Sequence, residues 1–208
     1  MGAQRVGSGD TRSPETGAPR KERTDAARNR EAVLAAADAL FARSESPRSV
    51  SMDEIAAAAG VGKGTLFRRF GDRTGLIRVL AEARIAPLRQ AVEAGPGPLG
   101  PDGPPRARVL ALLDAVLRFK LDNRHLALAL EEAGSGSPYD AGHYAWWHGT
   151  LEQTLRRLPA VADSGFTAHA LLAATRADLV EHLAGQEDMT GEEMRERLAA
   201  YAARVLDA

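Results

Sequence analysis

Apolar residues recur at helical spacing along nearly the whole chain, and no stretch alternates as a strand does. Val33, Leu34, Ala37, Leu40 and Phe41 form the first row and predict a helix over Asp25–Arg43. Beyond the break at Pro47, two short helices are predicted within Ser51–Arg73. Ser51 suits the cap of the first, and Asp53 and Glu54 in its opening turn suit the positive end of a helix dipole. Ile55 and Ala56–Ala59 keep that helix slim. Gly60 tolerates the left-handed backbone that closes a helix, and Val61 plugs the corner. Lys63–Phe70 is the second helix, with Leu66 and Phe70 inward and Lys63, Thr65, Arg68 and Arg69 outward.

The next helix, over Arg73–Val92, is preceded by Asp72 as a cap and is expected to bend at Pro87. Gly95–Pro105, in which nine of eleven residues are Gly or Pro, ends it in a readily broken loop. Further helices are predicted over Arg106–Asn123, His125–Ala133, Tyr139–Leu158, Thr167–Leu183 and Glu192–Leu206. The expected fold is all-α: a three-helix head at 25–72 and a helical bundle at 73–208 that includes the loop at 95–105. Residues 1–24, with Val6 the one large apolar side chain after Met1, are expected to be disordered. They fit either an inert tail or a basic arm using Arg20, Lys21 and Arg23.

Two short helices joined through a Gly-containing corner, with cations outward on the second, fit a helix-turn-helix that reads a DNA major groove. A solvated basic hairpin would show the same charges. The ordered series of cap, acidic first turn, alanine helix, glycine corner and cationic helix favours DNA. Net charge refines this. The whole chain stands at −1, yet residues up to Gly75 carry 13 Lys or Arg against 10 Asp or Glu, and the remainder 14 against 18. A basic front on an acidic rear suits a reader joined to a part that does not touch DNA.

There is no cysteine, which excludes disulfides, thiolate catalysis and zinc-finger chemistry. No apolar run approaches the roughly 20 residues of a membrane span, and no signal core opens the chain, so a cytoplasmic location is expected. No metalloprotease pair, nucleophile triad cue or phosphate loop appears, and neither enzyme activity nor a cofactor is expected. Asp178 and His182 lie four apart, but His143 and His148 lie five apart on different faces, and no metal site is expected.

Two features of the rear remain. The run Tyr139–Gly149, with His143, Tyr144, Trp146 and Trp147, offers apolar walls and polar handles for a ligand. Phe119, His125 and Arg176 are possible additions from neighbouring helices; ordinary aromatic core packing is the alternative. Leu172, Leu179, Leu183, Met194, Leu198 and Val205 on the last two helices fit a four-helix dimer interface, or else the subunit's own core.

The segment Asn29–Ile85 resembles the TetR family of bacterial transcriptional regulators. The likeness is carried by REAVLAAADALFA (Arg30–Ala42), MDEIAAAAGVGKGTLFRRF (Met52–Phe70) and the GDRTGLI that follows. It implies a homodimer on double-stranded operator DNA, and a repressor released when an unidentified small-molecule effector enters the rear domain. It also implies that Lys63, Gly64 and Thr65 meet base edges, and that Phe67, Arg68 and Arg69 meet bases or backbone. Arg73 would take a phosphate, Arg28 and Arg30 the flanking backbone, and Ser51 joins the set as the cap of the first reading helix. Gly62 and Phe67 depart from the Ser or Thr and the Tyr common in the family, which removes two hydroxyl contacts.

Overall fold

A computed structural model describes residues 18–44, 49–132 and 142–207. Among them lie ten helices and no strand. The head comprises α1 (Ala18–Arg43), α2 (Met52–Ala59) and α3 (Lys63–Phe70). The long α4 (Arg73–Ala94) leads to α5 (Pro105–Asp122), α6 (Arg124–Glu132), α7 (Gly142–Leu155), α8 (Ser164–Ala173), α9 (Ala177–Gly185) and α10 (Gly191–Leu206). The chain is all-α, as its periodicity predicts. Most of the tail expected at 1–24 lies outside the described residues. Its last part, from Ala18, is helical instead, so α1 starts well before Asp25. Pro19 is tolerated in a first turn, where its missing N–H had no helical acceptor, and the Arg, Lys and Glu that follow are good helix formers.

Two apolar cores are built along α4. The first joins Val33, Ala37 and Phe41 of α1 to Ile55 of α2, Leu66 of α3 and Leu76, Ile77 and Leu80 of α4. It is completed by Leu126 and Ala129, which α6 inserts from the rear of the chain. The second begins at Ile85 and Val92, further along α4, and gathers Leu113 and Leu117 of α5, Leu151 of α7 and Leu198 of α10. Pro87 lies within α4 between Ile85 and Val92 of this second core. The Gly- and Pro-rich connection is folded on itself, with Gly100 N–H donating to Gly97 O at 3.2 Å and Gly103 N–H to Gly100 O at 3.3 Å.

One expected helix is two. The run over Thr167–Leu183 breaks between Ala173 and Ala177. The buried Thr175 hydroxyl donates to Leu172 O at 2.8 Å, offering that carbonyl a partner outside the helical ladder. Arg176 is extended, with φ −60° and ψ 141°. The opening of α9 is then capped from another helix, for the Glu131 carboxylate accepts Ala177 N–H at 3.0 and 3.1 Å. The aromatic helix is also shorter than its pattern: it ends at Leu155, where tight turns from Thr154 and Leu155 replace the ladder, and Tyr139–Ala141 lie outside the described residues.

Candidate nucleic-acid interface and rear-domain cavity

The hairpin at Ser51–Phe70 closes on local bonds. Glu54 N–H donates to Ser51 Oγ at 3.2 Å and Ser51 N–H donates to Glu54 Oε2 at 2.9 Å, a reciprocal capping box. The bonds from the Ser51 backbone and hydroxyl hold the Glu54 carboxyl below the ordinary carboxylate range. Gly60 ends α2 at φ 65°, a conformation that strains any residue with a β-carbon. Leu66 and Phe70, one turn apart on α3, are both buried in the head core. Their burial contributes about 1.5–3 kcal/mol each and fixes which face of α3 looks out.

That outer face carries Lys63, Gly64, Phe67, Arg68 and Arg69, all exposed; Phe67 shows 39% of its surface. Thr65 is half-buried beside them. The cations are not equivalent. Lys63 Nζ sits 2.7 Å from Asp53 of α2, an exposed ion pair of little stabilising value. Arg69 Nη1 donates to Ala26 O at 2.6 Å and ties α3 to α1. Arg73 Nε donates to Val50 O at 3.0 Å, and its guanidinium stands 5.7 Å from the Phe41 ring centroid, so Arg73 also fastens α4 to the head. Arg68 is exposed on α3, Arg30 is exposed on α1, and Arg28 pairs with Asp25 at 3.7 Å. Arg69 faces outward as expected, and its guanidinium also holds two helices together. No sequence spacing marks that tether, because its acceptor is a backbone carbonyl.

At the start of α3, Gly62 provides no side-chain cap. Asp72 caps α4 by accepting Gly75 N–H at 2.7 Å. A β-carbon at Gly75 would overlap Phe70 O, so α4 approaches the end of α3 as closely as backbone allows.

Residues 33–80 match the family model for bacterial regulatory proteins of the tetR family, over the three head helices and the start of α4. The head of the chain is that of the TetR family of transcriptional regulators. The chain is 23% identical over 181 residues to an HTH-type transcriptional regulator of Staphylococcus aureus, covering 86% of this chain and 94% of that protein. Among solved structures, a Rhodococcus sp. protein described as a TetR-family transcriptional regulator shares its fold with a TM-score of 0.64 at 21% identity, covering 86% and 98% of the two chains. LfrR from Mycobacterium smegmatis, solved with proflavine, aligns with a TM-score of 0.54 at 22% identity over 87% of this chain and 97% of its own. NalD from Pseudomonas aeruginosa, named the secondary repressor of the MexAB-OprM multidrug efflux pump, aligns at 0.59 and 18% over 88% and 97%. The matched head is that of DNA-binding transcriptional regulators, and none of the described helices is long and apolar enough to cross a membrane.

In the rear domain, the residues expected to line one pocket fall into separate places. Trp147 is buried in the rear core, and Phe119 packs against it. Tyr144 shares a 2.6 Å hydrogen bond with His169 Nδ1 and stacks with His148 and His169. Arg176 pairs with Asp178 at 2.6 Å, beside the Lys120–Glu131 pair at 2.7 Å. Desolvation lowers the Lys120 ammonium, and burial with Lys120 nearby lowers the His143 imidazole. His125 Nδ1 is buried without a hydrogen-bond partner. Of the expected set, Trp146 alone lines the cavity of about 420 Å³ between α4 and α7. Gly149, at the end of the singled-out run, also lines it, as do Arg108 and Glu93, which carry no local sequence signal for a pocket.

The apolar residues expected at a dimer interface also divide. Leu172, Met194 and Leu198 are buried in the subunit's own core, because their helices turn that row toward the bundle. Leu183 and Val205 are half-buried against it, and Leu179 is exposed. Tyr201, in the apolar row of α10, is 40% exposed, and Phe166 on α8, which belongs to no row, is 72% exposed.

Proposed function

We propose that this protein is a ligand-responsive repressor that binds a near-palindromic operator as a homodimer and releases it when a small molecule occupies the rear domain. The observation that carries the reading is the outer face of α3. A capped, glycine-closed hairpin with a buried Leu66–Phe70 seam presents Lys63, Arg68 and Arg69 around an open Gly64, at which a β-carbon would meet nothing within 4 Å. Such a face lets backbone approach base edges while guanidinium groups address guanine or phosphate. Arg28, Arg30 and Arg73 extend the positive surface toward flanking phosphates, and Ser51 holds α2 in place. One eight-residue helix spans few base pairs, and pairing two heads doubles the site read.

The exposed Phe166, Leu179 and Tyr201, with Leu183 and Val205 beside them, are the surface we assign to the dimer. Effector control is supported by the likeness in fold to LfrR, solved with proflavine, and repression by the likeness to NalD. A DNA partner places the protein in the cytoplasm.

The test uses a duplex selected from a randomised pool by the full chain, with binding followed by fluorescence anisotropy and mass by light scattering. Dimeric protein holding the selected duplex at least about 10³-fold tighter than random DNA is the expected result. A monomer on DNA, or equal affinity for both duplexes, would sink the proposal.

A further inference from the structure

The groove between α4 and α7 has the chemistry of an anion site. Arg108 of α5 stands on its wall, donating Nη2 to Val92 O at 3.2 Å and Nη1 to Pro101 O at 3.3 Å. Its Nε is buried and has no hydrogen-bond partner. A second guanidinium converges on the same neutral acceptor, for Arg157 Nη1 also donates to Pro101 O, at 3.1 Å. Desolvation and the Arg157 charge both lower the Arg108 pKa, and Asp102 opposes them. Two cations and an orphaned donor around one carbonyl oxygen leave an unmet demand for negative charge.

The rest of the groove suits a flat body. The Trp146 ring lies 4.8 Å from the Arg89 guanidinium carbon and donates its Nε1–H to Glu93 at 3.0 Å, so the acid on the groove wall is already engaged. Gly149 lies inside α7, where glycine weakens a helix, and no packing demands it: a β-carbon there would meet nothing within 4 Å. What glycine gains at this position is open space beside Trp146.

We propose that this groove binds a flat aromatic carboxylate, its anionic head on the Arg108 and Arg157 guanidinium groups and its plane along Trp146 above Gly149. This rests on the reading that the rear domain takes an effector, and it names the effector's chemical class. The test is calorimetric titration of the full chain with 2-naphthoate and with its neutral counterpart 2-naphthalenemethanol. Naphthoate is expected to bind at least tenfold more tightly than the alcohol, and Arg108→Gln to weaken it by about tenfold to a hundredfold. Gly149→Leu leaves the Arg108 contacts with Val92 and Pro101 in place and fills the groove; it should abolish binding while the melting temperature holds or rises. No heat with naphthoate, equal affinity for acid and alcohol, or wild-type affinity in Gly149→Leu would overturn the site. Operator release is read separately by anisotropy. Naphthoate heat without release upholds the carboxylate site and overturns its role as the effector site.

Discussion

Arg68 and Arg69 are neighbours on α3 with the same charge, and the fold predicts different consequences of removing each. Arg69 donates to Ala26 O at 2.6 Å, whereas Arg68 is exposed on the helix. A hydrogen bond from a charged group contributes about 1.5–3 kcal/mol when desolvated, and less in this exposed setting, so about 1 kcal/mol is the expected loss in Arg69→Ala. For a chain of 208 residues that lowers the melting temperature by about 2–4 °C. Arg68→Ala should stay within about 0.5 kcal/mol of wild type. On DNA both variants should lose affinity. A lost bidentate base contact costs about 1–3 kcal/mol and relaxes one position of the site; a lost phosphate contact weakens all sequences alike and reduces the salt slope by about 1. The assay pairs thermal unfolding by circular dichroism with anisotropy on selected and random duplexes at several salt concentrations. Equal destabilisation in the two variants would refute the tether. An Arg68→Ala protein with wild-type affinity and salt slope would refute the reading face.

Glu131→Gln leaves Lys120 largely buried without its counter-charge and weakens the cap on α9. The expected loss is about 3 kcal/mol, read by urea unfolding, with faster amide exchange at Ala177–Val180. For His143, burial holds the folded pKa below its ordinary 6.5. The unfolded chain therefore takes up this proton at higher pH than the folded chain, and stability falls as pH drops from 6.5 through the folded value. His143→Gln should flatten that part of the pH–stability curve; an unchanged curve would show that another group titrates.

The head was legible because its determinants are local. The Ser51–Glu54 box, the glycine at position 60 and the Leu66–Phe70 seam each lie within a few residues of what they control, and α3 spans the predicted Lys63–Phe70. The rear was legible in its periodicity and not in its joints. The break before α9 depends on a carboxylate 46 residues earlier in the chain, and the buried Thr175 continues a helical row while its hydroxyl bonds back to Leu172. Periodicity also marks an apolar row without saying which body covers it. Leu172, Met194 and Leu198 therefore read as an interface and lie in a core, while Phe166 stands outside without belonging to any row. The α4–α7 groove takes its lining from three helices and a loop, so no one segment announces it.

The entry of α6 into the head core bears on how freely such heads can be exchanged between relatives. Leu126 and Ala129 fill space among side chains of the first four helices, so a chimaera spliced at residue 72 sets a foreign head on an α4 and an α6 shaped for another. The graft would leave mismatched volumes at the seam, and large-to-small mismatches of buried leucine size cost about 2–5 kcal/mol. Transplanting DNA specificity onto this sensor therefore calls for changing the outer face of α3 alone, or for carrying the facing residues of α4 and α6 along with the head.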